Sequence, residues 1–251
     1  MSEFDGKVAL VTGASSGIGR STAILYAKYG AHVVVSDVDA HGGEETVEMI
    51  NQAEGKAIFV RTDVSKFDEC QSLVQQTMDR FGRLDFACNN AGIGGEPNPV
   101  AEMSEEAWNR VISINLSGVF YCMHHEIKAM LQNGGGSIVN MSSILGQVGF
   151  AGSSAYVSTK HGILGLTRTA ALEYSKAGVR VNAVGPAFIV TPMIQGITAD
   201  PNVEKMLVAA HPIGRLGQPE EVAELVIWLS SDKASFVSGG YYPVDGGYLA
   251  Q

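Results

Sequence analysis

Lys7-Val8-Ala9-Leu10-Val11-Thr12-Gly13-Ala14-Ser15-Ser16-Gly17-Ile18-Gly19 decides the fold. Lys7 to Thr12 is a short, β-rich run that stops at Gly13. Arg20 to Tyr29 follows the glycines as an amphipathic helix, and Gly30 stands where a helix C-cap belongs. Ala31 to Ser36 is apolar and β-branched, the composition of a buried parallel strand, and Asp37 ends it. Strand, glycine-rich turn, helix and strand make a dinucleotide-binding βαβ unit. The glycines let the backbone approach a pyrophosphate, and the helix N-terminus offers it free N–H groups. A glycine turn alone is weak evidence, since turns use glycine for other reasons. Here it lies between the right elements, with a carboxylate at the end of the next strand.

Asp37 can accept hydrogen bonds from both hydroxyls of an adenosine ribose, and its charge repels a 2′-phosphate. The residues after it, Val38-Asp39-Ala40-His41, include no Arg or Lys, and Ser16 within the turn is not basic. The expected cofactor is therefore NAD(H) rather than NADP(H). Without the glycine turn, a strand-end aspartate would read as a turn residue only.

The alternation continues along the chain. Helical patterns are expected at 43–54, Phe67 to Phe81, Ser104 to about Leu131, 156–175 and Pro219 to Leu229. Ser104 is the N-cap of the third of these, with Glu105 and Glu106 in its first turn. Strands are expected at 57–62, 84–88, 137–141, 179–184 and 236–244. Residues 193–212, punctuated by Gly196, Pro201 and Pro212, read as irregular, a candidate lid. Alternation of this kind means a parallel sheet covered by helices on both faces. No repeat, low-complexity tract or linker interrupts residues 1–251, so one domain is expected. Ligands of such sheets bind outside the carboxyl ends of the strands.

Tyr156 and Lys160 stand four apart at the start of a helical pattern, so their Cβ atoms lie on one face about 5–6 Å apart. A phenol with a pKa of about 10 is a poor proton carrier at neutral pH, but a nearby ammonium favours its ionised form. The pair is a candidate proton donor and acceptor that needs no metal. Chance also produces this spacing on helix surfaces, so its weight comes from its surroundings.

The formal net charge of −9 argues against a general nucleic-acid or anionic-membrane surface, while 45% hydrophobic residues is ample for a core. No apolar run reaches the roughly 18 residues of a membrane span, and no secretory leader is read in Met1 to Gly13. Cys70, Cys88 and Cys122 are odd in number and lack C-x-x-C spacing, which suits reduced thiols and a cytoplasmic protein. His124, His125 and Glu126 are adjacent rather than three or four apart, so no metal is expected there.

Taken together, Thr12-Gly13-x-x-x-Gly17-x-Gly19, Asp63-Val64, Asn89-Asn90-Ala91-Gly92, Asn115, Ser143 and Tyr156-x-x-x-Lys160 closely resemble the short-chain dehydrogenase/reductase family. The resemblance covers essentially the whole chain. It implies a doubly wound, single-domain Rossmann fold of α/β class with a seven-stranded parallel sheet, and a tetrad of Asn115, Ser143, Tyr156 and Lys160. Ser143, rather than Ser142, lies thirteen residues before the tyrosine, the family's usual spacing, and Ser142 then points the other way. By resemblance, Ser143 and Tyr156 hydrogen-bond the substrate oxygen and Tyr156 moves the proton. Lys160 lowers the Tyr156 pKa and holds the nicotinamide ribose, while Asn115 holds a water linking Lys160 to solvent. Gly13, Ser15, Ile18 and Gly19 cradle the phosphates and adenosine side, with Ser16 and Gly17 in the same turn. Asp63 and Val64 meet the adenine, Asn89 and Ala91 with Gly92 the adjoining ribose region, and Ile189 and Thr191, after Pro186, the carboxamide. Pro186-Ala187 departs from the family's usual Pro-Gly, which brings a Cβ beside the nicotinamide loop.

Met193, Met206, Leu207 and Phe150 are candidates for an apolar substrate pocket. Tyr241, Tyr242 and Tyr248 suit either an intrachain core or the interface of a homotetramer, which the resemblance implies. The expected activity is hydride transfer between NAD(H) and a small-to-medium, largely apolar secondary alcohol or ketone. A sugar dehydrogenase and a 3-oxoacyl-thioester reductase are alternatives within the class. A non-catalytic NAD(H) sensor and a purely structural oligomer are alternatives outside it, and the intact tetrad disfavours both.

Overall fold

Alternate residues of the first strand, β1 (Val8–Thr12), enter two separate cores. Ala9 and Val11 face one, Leu10 the other, as the two-residue period of a strand requires. A computed structural model describes residues 3–251; Met1 and Ser2 lie outside the described residues. After β1 come α1 (Gly17–Lys28), β2 (His32–Asp37), α2 (Ala40–Gln52), β3 (Lys56–Arg61), α3 (Phe67–Phe81) and β4 (Phe86–Asn89). The second half holds α4 (Glu105–Ile112), α5 (Gly118–Gln132), β5 (Gly136–Met141), α6 (Ser154–Tyr174) and β6 (Val179–Pro186). It ends with α7 (Pro192–Thr198), α8 (Pro201–Ala209), α9 (Pro219–Ser230) and β7 (Tyr241–Val244).

All seven strands pair in parallel, in the order β3-β2-β1-β4-β5-β6-β7. Chain direction across the sheet reverses between β1 and β4, which puts the ligand crevice at the carboxyl ends of those two strands. On one face Val33 and Val35 pack with Tyr26 of α1, Ile50 of α2 and Val226 of α9. On the other, Val34 packs with Leu73 of α3, Met123 of α5 and Ile163 of α6. This is the doubly wound α/β fold expected from the sequence.

Three local expectations change. The helix expected from Ser104 to about Leu131 is interrupted by a π-helical turn, Ser113–Ser117. That turn holds Asn115 fully buried, where its amide bonds to both backbone groups of Ile93. The Ser104 cap is present, its side chain accepting from the Ala107 N–H. Residues 193–212 are not irregular but largely helical, as α7 and α8. Pro192 and Pro201 sit at the first helical positions, where a missing N–H costs nothing, so these prolines start helices rather than break them. The last strand begins at Tyr241, not Phe236, because Gly239 has φ +79°, outside extended backbone. Remaining boundaries shift by a few residues; α2, for example, begins at Ala40 rather than Gly43.

Candidate active site

A cleft of about 340 Å³ opens over the carboxyl ends of β1, β2, β3 and β4. Gly13, Ser15, Ser16, Gly17 and Ile18 form one wall, and Asp37, Asp63 and Val64 another. Ala91 and Gly92 lie on the β4 side, and Thr191 and Met193 close the cleft from the lid. The packing here leaves no room for larger residues. A Cβ on Gly13, whose φ is +65°, would sit 2.7 Å from Ala91 Cα; one on Gly19 would sit 2.1 Å from the Gly13 carbonyl oxygen. Gly19 therefore supports the turn by letting α1 pack beneath it, and does not itself line the cleft.

The turn is also tied down by polar contacts. Asn90 Nδ2 donates to the carbonyls of Thr12 and Gly13, both at 3.0 Å, and Thr12 Oγ1 accepts from the N–H groups of Asn90 and Ala91. Asp37 Oδ2 accepts from the Ser15 N–H at 3.0 Å, which ties the carboxylate to the turn. Arg20, the cation nearest in sequence to the turn, is already used. Its guanidinium donates to the Ser15 carbonyl, to the Gly42 carbonyl at 3.1 Å, to Thr46 Oγ1 at 3.0 Å and to Glu45 at 3.0 Å. A narrow cradle with a carboxylate at its far end fits a dinucleotide in both shape and donor set.

The four tetrad residues come from three places in the fold: Asn115 from the π turn, Ser143 from just after β5, and Tyr156 and Lys160 from α6. Ser143 follows β5, with its Oγ donating to the Pro186 carbonyl at 3.5 Å and accepting from the Leu145 N–H at 3.1 Å. Ser142 does point the other way, donating to the Lys160 carbonyl at 2.9 Å. Tyr156 lies in the first turn of α6, and Lys160 Nζ is 5.2 Å from the centre of its ring. Burial pushes the Tyr156 phenol up, and the Ser143 hydroxyl acts in the opposite sense. Burial also pushes Lys160 down to about 8. Lys160 Nζ donates to the Met141 carbonyl at 2.8 Å, and no hydrogen bond joins it to Tyr156 among the described residues. Asn115 gives one donor and one acceptor of its side chain to the backbone of Ile93.

The family profile described as "Enoyl-(Acyl carrier protein) reductase" matches residues 13–249. Cyclohexanol dehydrogenase of Acinetobacter sp. (strain SE19) is 48% identical over 249 residues, 99% of this chain and 97% of that protein. Cis-4-hydroxycyclohexanecarboxylate dehydrogenase of Sinomonas cyclohexanicum is 47% identical, with 98% of each chain covered. The chain belongs to the short-chain dehydrogenase/reductase family. The crystal structure of levodione reductase superposes with a TM-score of 0.95 at 36% identity, covering 98% of this chain and 99% of that one. An Agrobacterium tumefaciens protein described as a 2-deoxy-d-gluconate 3-dehydrogenase, with bound NADP, superposes with a TM-score of 0.91 at 33% identity, covering 99% and 98%. As a short-chain dehydrogenase/reductase, the protein is an oxidoreductase of CH–OH groups that uses a nicotinamide cofactor.

Within this family site, three expected cofactor residues turn their side chains elsewhere. Asn89 is buried, donating to Glu126 at 2.9 Å and Asn140 at 3.1 Å; Asn90, which begins the loop, faces the cleft instead. Ile189 is buried in the core beside α9 and pairs its backbone with Gly217. Pro186 presents its carbonyl to Ser143, not its ring to the cleft. Ala187 is not in the left-handed region, since Glu54 is the only non-glycine with positive φ among the described residues. The departure from Pro-Gly therefore brings no backbone strain.

Two residues with site roles had no sequence signal. Arg20 is one. Tyr241 is the other: its hydroxyl donates to the Ser143 carbonyl at 3.0 Å, and its ring occupies the space that a Cβ on Gly185 would take, 2.1 Å from Oη. Toward the substrate side, Phe188 links Phe150, at 6.4 Å between ring centres, to Tyr248, at 6.2 Å. Met193 lines the cleft, and within α8 Leu207 is buried and Met206 exposed. His124 meets Lys128 at the surface with its ring centre 4.9 Å from that of His125, while Glu126 is wholly buried on another side of the helix.

Proposed function

We propose that this protein interconverts cyclic, largely apolar secondary alcohols and their ketones, with NAD(H) as the preferred cofactor. The observation that carries the cofactor choice is Asp37, tied to the glycine turn through Ser15 while Arg20 is held by four other partners. No free guanidinium is thus offered to a 2′-phosphate from the turn, and a carboxylate opposes one. Similarity to two dehydrogenases of substituted or plain cyclohexanols supports the substrate class. Phe188, two residues after the Pro186 whose carbonyl Ser143 bonds, its neighbour Phe150 and the methionine of the lid support an apolar pocket.

Bound nicotinamide supplies the hydride acceptor or donor. Tyr156 Oη takes the hydroxyl proton from the alcohol, or returns it to the ketone oxygen. Ser143 Oγ hydrogen-bonds the same oxygen, and Tyr241 and Leu145 fix the serine backbone and hydroxyl for that task. Lys160 would take up the Tyr156 proton by way of solvent when its own amine is neutral, since its Nζ bonds the Met141 carbonyl and not Tyr156. Asn115 fixes the backbone after Gly92, along the nicotinamide side of the cleft. The cofactor would be held by the glycine turn, by Asp37 at the adenosine ribose, by Asp63 and Val64 at the adenine, and by Ala91, Gly92 and Thr191 further along.

We also infer a homotetramer, supported by exposed Trp108, Phe120 and Leu172 on α4, α5 and α6 and by Phe236 before the edge strand β7. Light scattering during gel filtration measures it, and a monomer would overturn it. No helix among the described residues is long and apolar enough to cross a membrane.

The deciding test of function is initial rates with NAD⁺ and with NADP⁺ over cyclohexanol, 4-hydroxycyclohexanecarboxylate, glucose and a 3-hydroxyacyl thioester. NAD⁺-linked turnover of the cyclic alcohols is expected. A preference for NADP⁺ would overturn the cofactor reading, and turnover of glucose or the thioester alone would overturn the substrate reading.

A further inference from the structure

Glu126 is wholly buried on α5, makes no ion pair among the described residues, and has no part in the chemistry above. Its Oε2 accepts from Asn89 Nδ2 at 2.9 Å. The same Nδ2 donates to Asn140 Oδ1 at 3.1 Å, and Asn140 Nδ2 donates to Thr167 Oγ1 at 3.0 Å and Met123 Sδ at 3.3 Å. Both hydrogens of each amide are thereby used. Two buried acceptors are left without a donor: Glu126 Oε1 and Asn89 Oδ1. They belong to the two groups already joined by one hydrogen bond, and buried acceptors without donors are rare in folded proteins.

One proton resolves both. Placed on Glu126 Oε1 and donated to Asn89 Oδ1, it closes a carboxylic acid–amide pair with a hydrogen bond in each direction. The surroundings favour a neutral acid. Burial pushes the Glu126 carboxyl up to about 7, against the hydrogen bond from Asn89, which lowers it. The ionisable groups nearest it are thiols, Cys88 on β4 and Cys122 one turn back on α5; Cys70 on α3 lies behind Cys122, 3.6 Å from its sulfur. Burial pushes Cys88 up, while Cys122 is pushed up first by its hydrogen bond to Cys70 and then by burial. β5 and α6 contribute Asn140 and Thr167, which do not titrate. The other titratable side chains on this stretch of α5 are His124, His125 and Lys128, and burial pushes His125 down.

Asn89 is the last residue of β4, and the next three residues line the cleft, with Ala91 against Gly13. We propose that Glu126 is a positioning residue whose carboxylic acid proton is donated to Asn89, holding the end of β4 in its cofactor-binding form, so that loss of the proton to solvent weakens cofactor binding. This rests on the reading of the cleft as the nicotinamide-cofactor site.

The test is NADH affinity, followed by cofactor fluorescence from pH 6 to 8.5, in the wild type and in Glu126→Gln. Glutamine offers one donor and one acceptor at every pH. If binding shifts the acid's titration by half to one unit, linkage makes the wild-type Kd rise roughly three- to tenfold through pH 7. Glu126→Gln is expected to match the wild type at pH 6 and to lack that rise. Lys160 is common to both proteins, so its titration cancels in the comparison. The same rise in both, or weak binding by a folded Glu126→Gln at every pH, would overturn the proposal. Should Glu126→Gln fail to fold, pH-difference infrared spectroscopy of the wild type decides: a protonated-acid carbonyl band lost through pH 7 supports it, and its absence at pH 6 refutes it. Loss of NADH binding at every pH in the wild type would instead mark failure of the cofactor reading.

Discussion

Replacing Asp37 by alanine should reverse much of the cofactor preference, and the size of the change follows from the geometry. The carboxylate accepts from the Ser15 N–H at 3.0 Å through Oδ2 and from the Asp39 N–H at 3.1 Å through Oδ1. A carboxylate has about four lone-pair sites, so each oxygen keeps capacity for a ribose hydroxyl. A hydrogen bond to a charged group contributes about 1.5–3 kcal/mol, and at this partly exposed site the lower figure applies, giving about 3 kcal/mol for two. With NADP⁺ the 2′-hydroxyl bond is never made, so alanine costs only the remaining bond, about 1.5 kcal/mol. Removing the carboxylate also relieves its repulsion of the phosphate. Two unit charges about 4 Å apart at an effective dielectric of about 20 repel by about 4 kcal/mol, and exposure reduces this to about 1–2. The two effects nearly cancel for NADP⁺, while NAD⁺ loses its full share. The ratio of kcat/KM for NAD⁺ to that for NADP⁺ should therefore fall roughly 100-fold. Steady-state rates with both cofactors on one alcohol measure it. Asp37→Asn is the control for the turn, since it keeps an acceptor for Ser15 without the charge. A ratio within about threefold of the wild type, in a folded Asp37→Ala protein, would refute the reasoning.

Other expectations are smaller in scope. Lys160 accepts a proton only when neutral, so alcohol oxidation should rise with pH up to about 8 and then level off, and ketone reduction should show the reverse. A pH–rate series in both directions checks this, and Lys160→Met should lack the step. On stability the sign is opposite to that of a paired lysine. With its folded value below the ordinary 10.5, the cost of burying the ammonium is fully present below pH 8 and disappears as pH rises to 10.5. Lys160→Met should therefore melt no lower than the wild type at pH 7 although it is catalytically impaired. Tyr241→Phe removes the hydrogen bond to the Ser143 carbonyl, worth about 1 kcal/mol, and should lower kcat roughly fivefold with little change in cofactor KM. Gly19→Ala forces a Cβ against the Gly13 carbonyl and should abolish saturable NADH binding, as fluorescence titration would report.

The regular parts of the fold were legible because their signals are local. The bounds of α3, expected as Phe67 to Phe81, could be read from its apolar periodicity alone. The glycine turn and Asp37 were legible because backbone approach and ribose binding each restrict residue type. What the sequence hid was direction. Asn89 and Asn90 are the same residue type side by side, yet one ends a strand facing α5 and the other begins a loop facing the cleft. The lid was misread because proline both breaks helices and begins them, and only the preceding residue's conformation separates the two uses. The π turn at Asn115 and the contact from Tyr241 to Ser143 both depend on partners 22 and 98 residues away, which no local pattern encodes.

The two halves of the site differ in how tightly they constrain their residues. In the cofactor half, Gly13 and Gly19 lie where any added atom would come within 3 Å of backbone, so the chemistry of that half is recorded in residue identity. The substrate half is bounded by α7, α8 and their flanks, where Val190, Met193, Ile197, Met206 and Ile213 are all about half exposed or more. Such side chains can be exchanged for others of similar volume at little cost in stability. A methylene more or less in an apolar pocket changes selectivity by only about 1–3 kcal/mol. Substrate choice can therefore drift through lid substitutions while the tetrad and Asp37 stay fixed. Related dehydrogenases named for plain and carboxylated cyclohexanols both align along nearly the whole of this chain. If the proposed substrate reading holds, exchange within residues 190–213 or at Phe150 and Phe188 should alter KM for the alcohol before it alters cofactor affinity.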